Sequence, residues 1–171
     1  MKPIINIAEA QTMTTGHGET FGATHGLLSK PLGGRAIGAT ITRVEPGRAA
    51  FPFHHHYGSE EHFFIVSGTG TLRHGDATHP VRPGDYIVHP PGGPETAHQL
   101  VNTGTEPLVY LAIGAMVAPE VVGYPDSRKV AVTTRPWGEE GLRFVAMTEG
   151  IDRIGYWDGE DGAETRKVLG A

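Results

Sequence analysis

Apolar and polar residues alternate with the two-residue period of an extended chain through the middle of this sequence. Residues 36–44 (AIGATITRV) are the first clear stretch, ended by the turn Glu45-Pro46-Gly47. Short runs follow at residues 51–56, 61–66, 69–74, 78–81, 86–88, 97–102 and 108–115. Between them lie turn-forming clusters such as Ser67-Gly68, His74-Gly75-Asp76, Arg82-Pro83-Gly84-Asp85 and Thr103-Gly104-Thr105-Glu106. Strands this closely spaced predict antiparallel sheets closing into a jelly-roll barrel, an all-β fold. Outside this block the pattern fades. Residues 1–25 show no clean period and Thr14-Thr15-Gly16-His17-Gly18 reads as loop, so residues 1–35 are expected to form an arm over the barrel or a partner subunit. Residues 36–118 are the barrel, and residues 119–171 an extension packing on the barrel or on a dimer partner. Within that extension Tyr124-Pro125-Asp126-Ser127 is a turn, residues 129–133 and 142–147 are outlying strands, and the acidic stretch Trp157 to Gly162 is exposed or at an interface. No internal repeat is visible.

The phase of the alternation decides which side chains meet. In the run FHHHYGSEEHFFIVSG, His54 and His56 share one face of a strand while His55 points away. The polar turn Tyr57-Gly58-Ser59-Glu60 folds the chain back, bringing Glu61 near the two imidazoles. A slipped register would pair His55 with Glu60 instead. It fits the alternation less well, because a one-residue slip turns the whole strand inside out. Beyond the Pro/Gly-rich loop at residues 90–94, His98 opens a second alternating run with Leu100 and Asn102 on its face. Three imidazoles and a carboxylate without sulfur suit Fe(II), Mn(II), Ni(II), Co(II) or Zn(II). The plain alternative is a histidine-rich polar loop with no ion. His62, His74 and His89 read as structural or surface residues, with His89 also placed to orient a ligand or meet a substrate. Arg43 shares a face with Ala39 and Ile41; if that face is inward, its guanidinium is an anchor for a substrate carboxylate or phosphate. Phe64 and Val66 lie opposite Glu61, Phe63 and Ile65, so this strand is apolar on both faces and needs a cover.

These residues resemble the cupins. Gly47, His54, His56, Glu61 and Gly68 follow the first cupin motif with one extra residue before His54, and Gly84, Pro90, Gly92, His98 and Asn102 follow the second with a loop three residues longer before His98. The motifs lie 15 residues apart, and the resemblance spans roughly residues 36 to 115. It implies a cupin double-stranded β-helix, a metal held by His54, His56, Glu61 and His98, and a homodimer formed through a sheet. It leaves the reaction open. The leading expectation is sugar or sugar-phosphate isomerisation, in which an ion polarises a substrate carbonyl and Glu61 moves the proton. The alternatives are an Fe(II)-dependent dioxygenase and a non-catalytic domain that binds a small ligand.

Composition narrows the partners. The net charge is −5 with no basic run, which argues against nucleic acid or an anionic membrane surface. The longest apolar run, LVYLAIGAMVA, is too short to cross a bilayer. Cysteine is absent, which removes thiolate ligands and a cysteine nucleophile and fits a reducing, cytoplasmic compartment.

Overall fold

A computed structural model describes residues 3–135 and 140–149. The acidic stretch Trp157 to Gly162 lies outside the described residues. Two antiparallel β walls face each other. The first has the order β1 (Thr12–His17), β2 (Phe21–Leu27), β3 (Ile37–Val44), β10 (Leu108–Ala115), β5 (Glu61–Ser67) and β8 (Tyr86–His89). The second consists of β13 (Arg143–Met147), β12 (Lys129–Thr133), β11 (Glu120–Tyr124) and β4 (His55–His56), followed by β9 (His98–Val101), β6 (Gly70–His74) and β7 (Ala77–Val81). An antiparallel bridge between His54 and His98 joins the two parts of this second wall. Among the described residues there is no α-helix, and no helix is long and apolar enough to cross a membrane.

Alternation places the core between the walls. Phe63 and Ile65 point inward with Val44, Leu72, Val81, Leu100, Leu108 and Tyr110. Complete burial of an aliphatic side chain such as Ile65 or Leu108 contributes roughly 1.5–3 kcal/mol. The inward positions next to Glu61 are different. Gly38, Thr40, Ala112 and Gly114 lie on β3 and β10, in the middle of the first wall, yet are small and only half-buried. That leaves room in front of Glu61, where a core would normally carry large side chains. The outward face carries the row Ile41, Leu111, Phe64 and Tyr86, set side by side by the strand register. Phe64 is 40% exposed and Tyr86 60%, and Ile37, Val66 and Val88 extend the same surface.

Three sequence expectations change. The expected loop at Thr14 to Gly18 falls mostly in β1, a polar edge strand paired in full with β2. Its side chains are almost all exposed, so burial imposes no alternation on them. The expected strand at residues 51–56 shrinks to His55–His56 plus the bridge at His54. Strand β11 was not anticipated, and it pairs with β4, Val122 opposite His56 and Gly123 opposite His55. Gly68, which closes the first motif, has φ 76°, and a Cβ there would lie 2.3 Å from the Pro107 carbonyl oxygen. Only glycine fits that turn.

Candidate metal centre

The second wall presents three imidazoles to the first. Because β4 bridges to β9 on one side and pairs with β11 on the other, His54, His56 and His98 share the inward side. Glu61 opens β5 directly opposite. One donor atom from each of His54, His56, Glu61 and His98 lies within 4.8 Å of the others. Second partners orient the rings. His54 Nδ1 lies 2.8 Å from the Pro52 carbonyl oxygen and His98 Nδ1 lies 3.2 Å from that of Thr96. A carbonyl only accepts, so each Nδ1 carries a proton, and Nε2 is the nitrogen each ring has left to ligate an ion.

The charges favour a cation. Burial, then the charge of His98, lowers the His54 pKa to about 3, and burial likewise lowers that of His56. Both are neutral ligands near pH 7. For Glu61 burial is the largest single effect and would raise the pKa, but the His98 hydrogen bond and the charges of His54, His56 and His98 together hold it at about 2. His98 Nε2 stands 3.1 Å and His56 Nε2 3.8 Å from Glu61 Oε2. Both ring nitrogens of His56 are buried without a hydrogen-bond partner. A divalent ion among the four donors would give one of those nitrogens a partner and balance the Glu61 charge, so these residues fit a transition metal.

The surroundings hold this geometry. Glu120, buried on β11, accepts hydrogen bonds from Gly58 N at 3.1 Å, Val121 N at 3.1 Å and the Ser59 hydroxyl. It thereby clamps the turn that sets the spacing of His56 and Glu61. His55 points away as expected: its Nδ1 donates to the Gly92 carbonyl oxygen at 2.8 Å. His89 packs behind His98 with ring centroids 3.7 Å apart and an interplanar angle of 12°. It is 1% exposed and thus a buttress rather than a residue a substrate can reach. Arg43 is not brought to the centre. Its neighbours on β3, Thr42 and Val44, take the inward positions, and its exposed side chain pairs with Glu45 at 2.8 Å. Asn102, the last residue of the second motif, is a clasp: its Nδ2 donates to the carbonyls of Val44 and Glu106 at 2.8 and 2.9 Å.

Sequence reasoning missed Glu120 and Tyr124. The Tyr124 ring centre lies 6.1 Å from that of His54, at the edge of the centre. The alternation of Glu120, Val122 and Tyr124, an acid opening a short apolar run, was the available signal.

The chain is similar in sequence and fold to known proteins. Residues 40–114 match the cupin domain family, so the chain carries a cupin domain. A protein from Acidithiobacillus ferrooxidans, provisionally named a sugar phosphate isomerase, is 26% identical with a TM-score of 0.76, the match covering 90% of this chain and 97% of that one. A sugar phosphate isomerase of the cupin superfamily from Silicibacter pomeroyi shares the fold at 20% identity and a TM-score of 0.75, covering 90% and 98%. A provisionally named oxalate decarboxylase from Thermotoga maritima shares it at 20% identity and 0.57, covering 67% and 99%. No curated protein matches the sequence significantly.

Proposed function

We propose that this cupin is a metal-dependent isomerase of a small sugar or sugar phosphate, working in a reducing compartment such as the cytoplasm. The observation that carries the reading is the convergence of His54, His56, Glu61 and His98 on one point, facing a floor of small residues. The four side chains would hold the ion, and the small residues Gly38, Thr40, Ala112 and Gly114 beside Glu61 would leave room for a compact polyol. When bound, the ion supplies Lewis acidity that acidifies the C–H beside a substrate carbonyl, bringing it within reach of a base as weak as Glu61. Glu61 then takes the proton from one carbon and returns it to the neighbouring one. Phe63 and Tyr110, inward beside this floor, limit the water that competes for the proton. The 26% identity over nearly the full length of the Acidithiobacillus protein supports this class of reaction.

The domain division belongs to the same proposal: the barrel at residues 36–118 holds the site, residues 1–35 are an arm whose strands β1 and β2 extend the first wall, and residues 119–171 are an extension whose strands β11, β12 and β13 form a ribbon bracing the second. A homodimer is included, formed by the outward row Ile41, Leu111, Phe64 and Tyr86, which is too continuous an apolar surface to leave in water. Elemental analysis of untagged protein purified anaerobically, followed by incubation with aldose and ketose phosphates under proton NMR, tests the function. Zinc, manganese, nickel or cobalt with exchange of the C2 proton is the expected result. Stoichiometric iron with oxygen uptake on small aromatic or diketone substrates would move the protein to the dioxygenases. A metal-loaded protein that retains a sugar without turning it over would make it a binding domain.

A further inference from the structure

The ribbon does more than brace the second wall, because it carries a phenol and a cation beside the metal centre. Val122 pairs with His56, so Val122 and Tyr124 lie on the same inward side as the ligands. Lys129 pairs with Tyr124 across β11 and β12 and shares that side. The contacts agree with the register. The Tyr124 ring centre is 6.1 Å from that of His54, and Lys129 Nζ lies over the Tyr124 ring, 5.4 Å from its centre. The ammonium is therefore no more than about 12 Å from a ligand ring, a span that an open-chain sugar phosphate covers.

Three of the arginines are committed elsewhere. Arg43 pairs with Glu45, Arg73 with Asp126 and Arg128 with Glu149, whereas Lys129 forms no salt bridge among the described residues. Burial raises the Tyr124 pKa, so near neutral pH the phenol is a hydrogen-bond donor. A donor next to an unpaired ammonium is the chemistry that holds a phosphate or carboxylate oxygen.

We propose that Tyr124 and Lys129 hold the anionic end of the molecule whose oxygens meet the metal, making the substrate an anionic sugar derivative, a sugar phosphate before a neutral sugar. This inference rests on the isomerase reading and narrows its substrate class.

The experiment is calorimetric titration of the full-length protein, at its purified metal content, with an aldose phosphate, the corresponding neutral sugar and inorganic phosphate. Wild type is compared with Lys129→Met and Tyr124→Phe. The expected result is at least tenfold tighter binding of the aldose phosphate than of the neutral sugar. Lys129→Met should remove most of that preference and Tyr124→Phe part of it, with unchanged metal content and unchanged affinity for the neutral sugar. Persistence of the full preference in both variants overturns the proposal. Equal binding of sugar and sugar phosphate by wild type overturns it too, while leaving the isomerase reading intact. Inorganic phosphate binding as tightly as the aldose phosphate would make this a free-phosphate site and refute the substrate assignment. Failure to bind any of the three refutes both readings together.

Discussion

Glu120 lies outside both cupin motifs, yet the geometry of the centre depends on it. Replacing it with alanine removes the acceptor for the Ser59 hydroxyl, which is buried, and for the backbone N–H groups of Gly58 and Val121. Gly58 is exposed and can turn to water, so the main loss is at Ser59. An unsatisfied buried hydroxyl costs about 1–3 kcal/mol. The freed turn is the one that fixes where His56 stands relative to Glu61, so stability and metal binding should fall together. Loss of a group that orients metal ligands typically costs roughly 10–100-fold in affinity, and Glu120→Ala is expected within that range. Glu120→Gln separates shape from charge. Its amide oxygen still accepts from the backbone and its amide nitrogen donates to Ser59, so affinity should stay within roughly a factor of five of wild type. Chelator competition gives the metal dissociation constant, and urea unfolding of the metal-free protein gives the stability. If Glu120→Ala loses stability but binds metal as tightly as wild type, the turn is not what positions the ligands and the reasoning fails.

Removing a ligand should be far more severe: His54→Ala, His56→Ala or His98→Ala should strip most of the metal, whereas His55→Ala should retain it, as plasma emission analysis would show; full metal in all four variants would disprove the assignment. Gly123→Ala places a Cβ 2.1 Å from His55 Nε2, a ring tethered to Gly92, and should cost about 1–3 kcal/mol or more in urea unfolding. Acid should destabilise the metal-free protein. His54 and His89, depressed by burial to about 3 and about 2, are at full contribution above pH 6.5; below it the unfolded chain gains protons the folded one refuses until those values. Each costs roughly 1.4 kcal/mol per pH unit over that window, and Glu61, held at about 2, acts in the same direction below pH 4.5; equal urea midpoints at pH 7.5 and 5 would contradict this. Phe64→Asp with Tyr86→Asp, on the exposed row of the first wall, should convert the proposed dimer to monomer in sedimentation velocity without changing metal content; a wild-type protein that sediments as a monomer, or a variant with an unaltered coefficient, would refute a dimer through this face.

The sequence was most legible where burial is one-sided. Strands β3, β5, β10 and β12 appear within a residue or two of the alternation that announces them, because one face of each meets the core or another element. His54, His56, Glu61 and His98 could be picked out for the same reason: strand phase decides which side chains meet, and it needs no knowledge of distant partners. What stayed hidden depends on long-range pairing. Strand β1 has no core to face, so its pattern carries no period, and its place is set by the backbone ladder to β2. Arg43 had the right parity to share a face with Ile41, but parity alone does not say which face is inward. That is decided by Thr42 and Val44, which are buried against the opposite wall. Glu120 and Tyr124 come to the site only because β11 returns to pair with β4, more than sixty residues after that strand in the chain. A motif records the ligands that one hairpin and one strand can supply. The residues that hold the turn beneath those ligands, and those placed to select among substrates, arrive on a strand whose local sequence has no reason to advertise its destination.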